Sequence, residues 1–181
     1  MVCVLCLFAV LGCGHVDRAD WRADLQAGDL LLERSRGEWG ILAAATYWTH
    51  IGIYDGASRV IEAVSGVGVT ASPLTAWDYP AKSEVAVYRV TAAGGPQREA
   101  AVAFARRQAD NHKPYQEWPL YWDYSATSEA AWYCSELVWA AYLSAGIDLE
   151  PAPGAMGITP SDLVDGSSGV FVGGHVETPA P

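Results

Sequence analysis

Cysteine is scarce in this chain and almost confined to one end. Of four cysteines, Cys3, Cys6 and Cys13 lie in the first thirteen residues, and Cys134 stands alone in the body. Cys134 has no second cysteine near it in the body, Cys3 and Cys6 fall inside the apolar N-terminal run, and no His-Glu-x-x-His occurs, so nothing calls for a metal, and no cofactor is implied. Basic residues are also few: 11 Lys and Arg against 21 Asp and Glu, a formal net charge of −10. Phosphate contacts need clustered Lys and Arg, so a nucleic-acid binder is excluded, and Arg106-Arg107 reads as a solvated helix face. Charge would not draw the chain to anionic lipid. Internal repeats are absent, and no apolar run is long enough to span a bilayer.

What remains is one domain's worth of globular chain. At 181 residues with 51% apolar content, it can build its own core. The apolar run over residues 1–13 suits a signal h-region. It ends in Val10-Leu11-Gly12-Cys13, which resembles a bacterial lipobox, although the first Lys or Arg is Arg18. We therefore read residues 1–17 as a leader with Cys13 as its lipidation site, and 18–181 as a single domain. The tail from about residue 174 reads as disordered. The expected location is the cell envelope: an exported lipoprotein held by an N-terminal lipid anchor, or a periplasmic or extracellular protein. A lone thiol kept in an oxidising compartment is better explained by chemistry than by packing.

Cys134 sits in Trp132-Tyr133-Cys134-Ser135-Glu136-Leu137-Val138-Trp139. From Leu137 the apolar positions Leu137, Val138, Ala141, Tyr142 and Ala145 recur at helical spacing, and Gly146 supplies a stop. A thiol on the first turn of such a helix lies near backbone N–H groups and the positive end of the helix dipole, which favour thiolate. The competing reading is a buried structural cysteine. The segment alone does not decide between them.

A base lies upstream. Thr49-His50-Ile51-Gly52-Ile53-Tyr54 and Val60-Ile61-Glu62-Ala63-Val64 flank a Gly-containing loop and read as a hairpin. Ile51 and Ile53 share one face, leaving His50, Gly52 and Tyr54 on the other. Registers that set His50 or Gly52 opposite Glu62 put His50 and Glu62 on one face, within reach of each other. Such a carboxylate would orient the imidazole and stabilise its protonated form. Without Cys134, a half-exposed histidine and a solvated glutamate explain the pattern as well.

Four segments in order carry a resemblance: Gly28-Asp29-Leu30-Leu31; the His50 and Glu62 strands; Lys113-Pro114-Tyr115 with Tyr133-Cys134-Ser135-Glu136; and Ile158-Thr159-Pro160-Ser161-Asp162-Leu163. Over about residues 28–163 the chain resembles the YaeF/YiiX branch of the NlpC-type cysteine hydrolases, whose papain-like fold is circularly permuted. The resemblance implies an α+β fold, an antiparallel sheet packed against helices with the catalytic cysteine at a helix N-terminus. It makes Cys134 the nucleophile, His50 the general base and acid, Glu62 the residue orienting His50, and Tyr115 a substrate or oxyanion contact. His112 stands where glycine is usual in Gly-Lys-Pro-Tyr, and Gln116 where aspartate is common. The reaction implied is cleavage of an amide or ester through a Cys134 thioester. The expected substrate is a cell-wall peptide or an acylated amino acid or lipid. The alternatives are an acyltransferase using the same residues and an inactive envelope-binding lipoprotein.

The rest of the chain supplies context. Asp29–Glu33 and Val85–Val90 read as strands, and Glu38–Thr46 as a short helix. Pro96 opens a helix to about Asp110, with Ala100, Ala103, Phe104 and Arg107 on one stripe. Residues 112–132 read as a long loop framing the site. Thr159 caps a helix begun by Pro160. Gly66-Val67-Gly68-Val69-Thr70-Ala71 superficially fits a dinucleotide fingerprint, but Ser72 and Pro73 would interrupt the helix it requires. Among eight tryptophans, Trp48 and Trp132 lie two residues before His50 and Cys134. With Trp118 and Trp122 they are placed as walls of an apolar cleft that would hold an acyl chain.

Overall fold

The computed structural model describes residues 21–34, 46–77, 84–117, 129–150, 157–165 and 169–175. The expected helix over Glu38–Thr46, the leader with Cys13, and Trp118 and Trp122 lie wholly or almost wholly outside these residues. Six strands form one antiparallel sheet: β1 (Leu30–Arg34), β2 (His50–Tyr54), β3 (Arg59–Val64), β4 (Gly68–Pro73), β5 (Glu84–Val90) and β6 (Gly169–His175). Their spatial order is β4-β3-β2-β1-β5-β6. Three helices are described: α1 (Gly95–Asp110), α2 (Cys134–Ser144) and the single turn α3 (Asp162–Asp165). This is the α+β arrangement implied by the resemblance.

The sheet is covered on both sides. Leu30, Leu32, Ile51, Ile53 and Ile61 face α1 and α2, while Leu31, Tyr54, Val60, Val85 and Val87 join Trp21 and Trp77 in a second, smaller core. That is why the central strand begins as an unbroken Leu30-Leu31-Leu32: its alternating side chains each find an interior. Burying such a side chain is worth roughly 1.5–3 kcal/mol. Helix α2 is enclosed further than a one-sided stripe requires, since every residue from Cys134 to Tyr142 is buried. Its end matches expectation: Gly146 adopts φ +82°, and the Ile147 N–H returns to the Tyr142 carbonyl at 3.0 Å.

One reading needs correction. On α1 the buried face is Ala101, Val102, Phe104, Ala105 and Gln108, whereas Ala100, Ala103 and Arg107 are exposed. Alanine carries little information on phase, and the buried position is claimed by Gln108, a polar residue with specific partners. Its Oε1 accepts the Trp132 indole N–H at 3.2 Å, and its amide donates to Glu129 at 2.7 Å. Strand β6, which the sequence does not signal, pairs with β5 from Gly169 opposite Val90 to His175 opposite Val85; the expected tail beyond it lies outside the described residues. The Gly-rich sequence of β6 has low strand propensity, and the edge of β5 supplies what the side chains lack.

A buried ion pair anchors the start of the sheet. Asp29, with no exposed side-chain surface, accepts from Arg89 Nε at 2.8 Å and Nη2 at 2.7 Å, and from the Gln26 N–H at 2.8 Å. Arg89→Ala would strand this carboxylate away from water. The expected loss is about 3–5 kcal/mol of unfolding free energy, measured by urea denaturation at neutral pH.

Candidate active site

Helix α2 begins at Cys134 itself, with Tyr133 as N-cap in extended conformation (φ −98°, ψ 169°). The sulfur therefore sits on the first turn, where backbone N–H groups have no intrahelical acceptor. Strand β2 brings two partners to it. The His50 imidazole hydrogen-bonds the thiol, and the Ile51 backbone N–H donates to the same sulfur.

The availability of the Ile51 N–H follows from sheet register. β2 and β3 pair at Ile53 opposite Ile61 and Tyr54 opposite Val60, and beyond the turn-side end the Asp55 N–H bonds the Arg59 carbonyl at 3.0 Å. Continued further, this register would set Ile51 against Ala63 in a hydrogen-bonded pair. The ladder stops short of that rung, although β3 stays paired with β4 as far as Val64 opposite Gly68. Where the two strands part, the sulfur takes the place of the missing carbonyl.

His50 opens β2, and its Nε2 lies 2.6 Å from Glu62 Oε2. Nδ1 is thus the ring nitrogen left for the thiol. The pairing is diagonal: extended by one residue, the register of β2 and β3 places Gly52, not His50, opposite Glu62. A side chain at Gly52 would come within 2.5 Å of Val60 Cγ1 and 3.3 Å of Glu62 Cβ. Only glycine keeps this corner open. The imidazole also lies on the Trp77 indole, with ring centroids 5.6 Å apart and planes at 22°. Trp77 ends a 3₁₀ turn, Leu74–Trp77, that follows β4. It is 1% exposed and fixes the ring from the side opposite the helical core.

The electrostatics favour a charged pair. Burial alone would push the Cys134 thiol up, but the hydrogen bond and positive charge of His50, then Ser135 and the Ile51 N–H, bring it below its ordinary value. Burial would likewise disfavour the imidazolium, yet the hydrogen bonds and charges of Cys134 and Glu62 raise His50 to about 10. Thiolate and imidazolium sustain each other, and Glu62 supports the cation.

Tyr115 reaches the site through a single parallel bridge to Trp132. The Gln116 N–H bonds the Trp132 carbonyl at 2.9 Å, and the Trp132 N–H bonds the Pro114 carbonyl at 3.1 Å. Tyr115 thus pairs with a residue two positions before Cys134. Burial, then the negative charge at Cys134, raises its pKa well above the usual phenol. The phenol remains a proton donor. The tryptophans behave differently. Trp132 is 0% exposed and Trp48 only 5%. Trp132 packs edge-on against Phe104, and the Trp48 backbone N–H bonds Ser161 at 3.2 Å. Trp132 is core and presents no surface to a substrate, contrary to its placement as a cleft wall, and Trp48 presents almost none.

The remaining matched segments brace these parts. Ser135 donates to the Ile158 carbonyl at 2.7 Å, and the Ile158 N–H meets the Tyr133 hydroxyl at 3.3 Å. Ser161, three residues on, holds Thr46 at 2.7 Å as well as Trp48. One segment therefore ties the start of α2 to the approach to β2. Thr159 and Asp162 exchange hydrogen bonds at the start of α3, close to the expected cap. His112 takes φ +49° where α1 ends, a conformation that glycine adopts without strain. A non-glycine residue in that conformation costs about 1–2 kcal/mol.

Sequence reasoning missed Trp77 and the Ile51 N–H. Neither leaves a signal, because one lies in an aperiodic turn and the other belongs to the backbone. Among the described residues, no cluster of three His, Cys, Asp or Glu side chains is placed to hold a metal ion, and no helix is long and apolar enough to cross a membrane.

Comparison with curated proteins finds no match. Residues 24–156 do match the family described as permuted papain-like amidase enzymes, YaeF/YiiX, C92 family. With the hairpin ahead of the thiol-bearing helix and most of the chain covered, the protein belongs to that family of cysteine hydrolases.

Proposed function

We propose that this protein hydrolyses an amide or ester acyl bond through a thioester on Cys134. The observation that carries the reading is the unbroken line from sulfur to imidazole to carboxylate, closed by the 2.6 Å contact between His50 and Glu62. Cys134 thiolate attacks the carbonyl carbon, forming a C–S bond and an oxyanion. The Cys134 N–H and the Tyr115 phenol stabilise that oxyanion. His50 gives its proton to the departing nitrogen or oxygen as the bond to carbon breaks. The neutral imidazole then takes a proton from water, which attacks the thioester, and collapse returns the thiolate and releases the acid. The substrate class we propose is a cell-envelope peptide or a lipid-linked amino acid. The Val10-Leu11-Gly12-Cys13 run supports lipid anchoring at Cys13, which would hold the enzyme beside such substrates.

Incubation with an activated acyl ester followed by intact-mass measurement tests the reaction. The expected adduct is one acyl group on Cys134, released by hydroxylamine. No adduct, together with iodoacetamide alkylation no faster than that of an unstructured thiol between pH 5 and 8, would sink the reading. A screen of N-acyl amino acids and muropeptides would then define the substrate.

Glu62→Gln keeps the shape of the acid but removes its charge. It is expected to lower kcat about tenfold to a hundredfold with KM little changed. The sign of the pH effect follows from Glu62 being one of the groups that raise His50. Without the carboxylate charge, His50 loses its proton at lower pH, and the alkaline limb of kcat/KM moves down from about 10. An unmoved limb would remove Glu62 from the mechanism.

A further inference from the structure

The fingerprint-like run Gly66–Ala71 opens no helix: it belongs to the β3–β4 turn and the strand that follows. The Val67 N–H closes the turn on the Val64 carbonyl at 3.0 Å, with Gly66 at φ +74° and Gly68 at φ +97°. What the turn touches is the segment bearing Tyr115. The Val69 N–H donates to the Lys113 carbonyl at 2.8 Å. The Ser65 hydroxyl donates to Glu117 Oε1, also at 2.8 Å. A β-carbon at Gly68 would lie 2.6 Å from the Lys113 carbonyl oxygen and 3.5 Å from Pro114 Cα. Residues 113 and 117 are therefore gripped from one side by a single turn, with Tyr115 midway between them. From the other side, Trp132 holds Pro114 and Gln116 through the backbone. The gripping turn also ends β3, the strand that carries Glu62.

We propose that the Ser65–Val69 turn is a positioning device that sets the Tyr115 phenol against the oxyanion formed at Cys134. Gly68 is its specific requirement: it combines a backbone conformation that L-residues resist with a close approach that a methyl group would block. Through this turn the strand supplying the carboxylate also locates the oxyanion donor. The inference rests on the role given to Tyr115 under Proposed function.

Two reagents separate positioning from general damage. Iodoacetamide alkylates the thiolate by displacement at a saturated carbon, with no oxyanion. p-Nitrophenyl butyrate acylates it through a tetrahedral oxyanion. In Gly68→Ala, alkylation and its pH dependence are expected to match the native protein, whereas acylation falls roughly tenfold, as for a donor displaced by a fraction of an ångström to about 1 Å. Ser65→Ala, which loses only a solvent-exposed bond, should fall in the same direction by about twofold. Tyr115→Phe should lose at least as much acylation as Gly68→Ala, and the double variant should lose little more than Tyr115→Phe alone. Unchanged acylation in Gly68→Ala, equal losses in both reactions, or full additivity with Tyr115→Phe would each overturn the proposal. Native acylation rates in Tyr115→Phe would instead overturn the role of Tyr115, and with it the reason for a clamp.

Discussion

Cys134→Ala is expected to lower kcat/KM for any acyl substrate by at least about 10⁴-fold while leaving the fold intact. The remaining imidazole can activate water, but no covalent intermediate forms, so the acyl adduct seen by mass disappears. The change reaches beyond the missing sulfur. Cys134 supplies both a hydrogen bond and a negative charge that raise His50, against burial that lowers it. With the sulfur gone, Glu62 opposes burial alone, and His50 must titrate below its native value of about 10. Proton NMR of the imidazole across pH 6–11 reads this directly. An unshifted His50 would mean that the two groups do not share a proton equilibrium, whatever the loss of activity.

His50→Ala produces the mirror image. Burial pushes the thiol up, and His50 is the main force pulling it down. Without the imidazole only Ser135 and the Ile51 N–H are left against desolvation, the largest single influence, and the thiol should titrate above its ordinary value of 9.0. Thiolate then falls about tenfold for each pH unit below that point. Iodoacetamide labelling near pH 6.5 should become negligible in the variant and recover only under alkaline conditions. Native protein keeps its reactivity throughout this range. Turnover should fall by roughly 10³-fold or more, since both activation of the nucleophile and protonation of the leaving group are lost. Equal labelling profiles for the two proteins would show that His50 does not activate the thiol.

Much of this geometry follows from alternation. Once the two strands around residues 55–58 are read as a hairpin, every even-sum register puts His50 and Glu62 on one face, and a glycine at 52 permits the diagonal approach. The onset of α2 at Cys134 follows from helical spacing after Leu137 and the Gly146 stop. Parity and spacing carry no information about a third dimension, however. They say that Trp132 precedes Cys134 but not that Gln108 captures its indole and draws it inside. They also misjudge the phase of α1, where alanines populate both faces and the residue that matters most is polar. Trp77 packs on the histidine from a turn with no periodicity at all. β6 has little local preference for its conformation and exists because β5 offers an unpaired edge. The pattern of side chains thus located the acid–base pair, while much of what holds that pair in place comes from backbone groups and long-range packing.

The parting of β2 from β3 has one more consequence. In an ordinary sheet the amide of Ile51 would be satisfied by a neighbouring strand; here it relies on a sulfur carried by a helix. Ile51 is fully buried, and an unanswered amide in such surroundings costs about 1–3 kcal/mol. The reactive atom is therefore also a structural rung. Moving the sulfur out of line would cost the sheet as well as the chemistry.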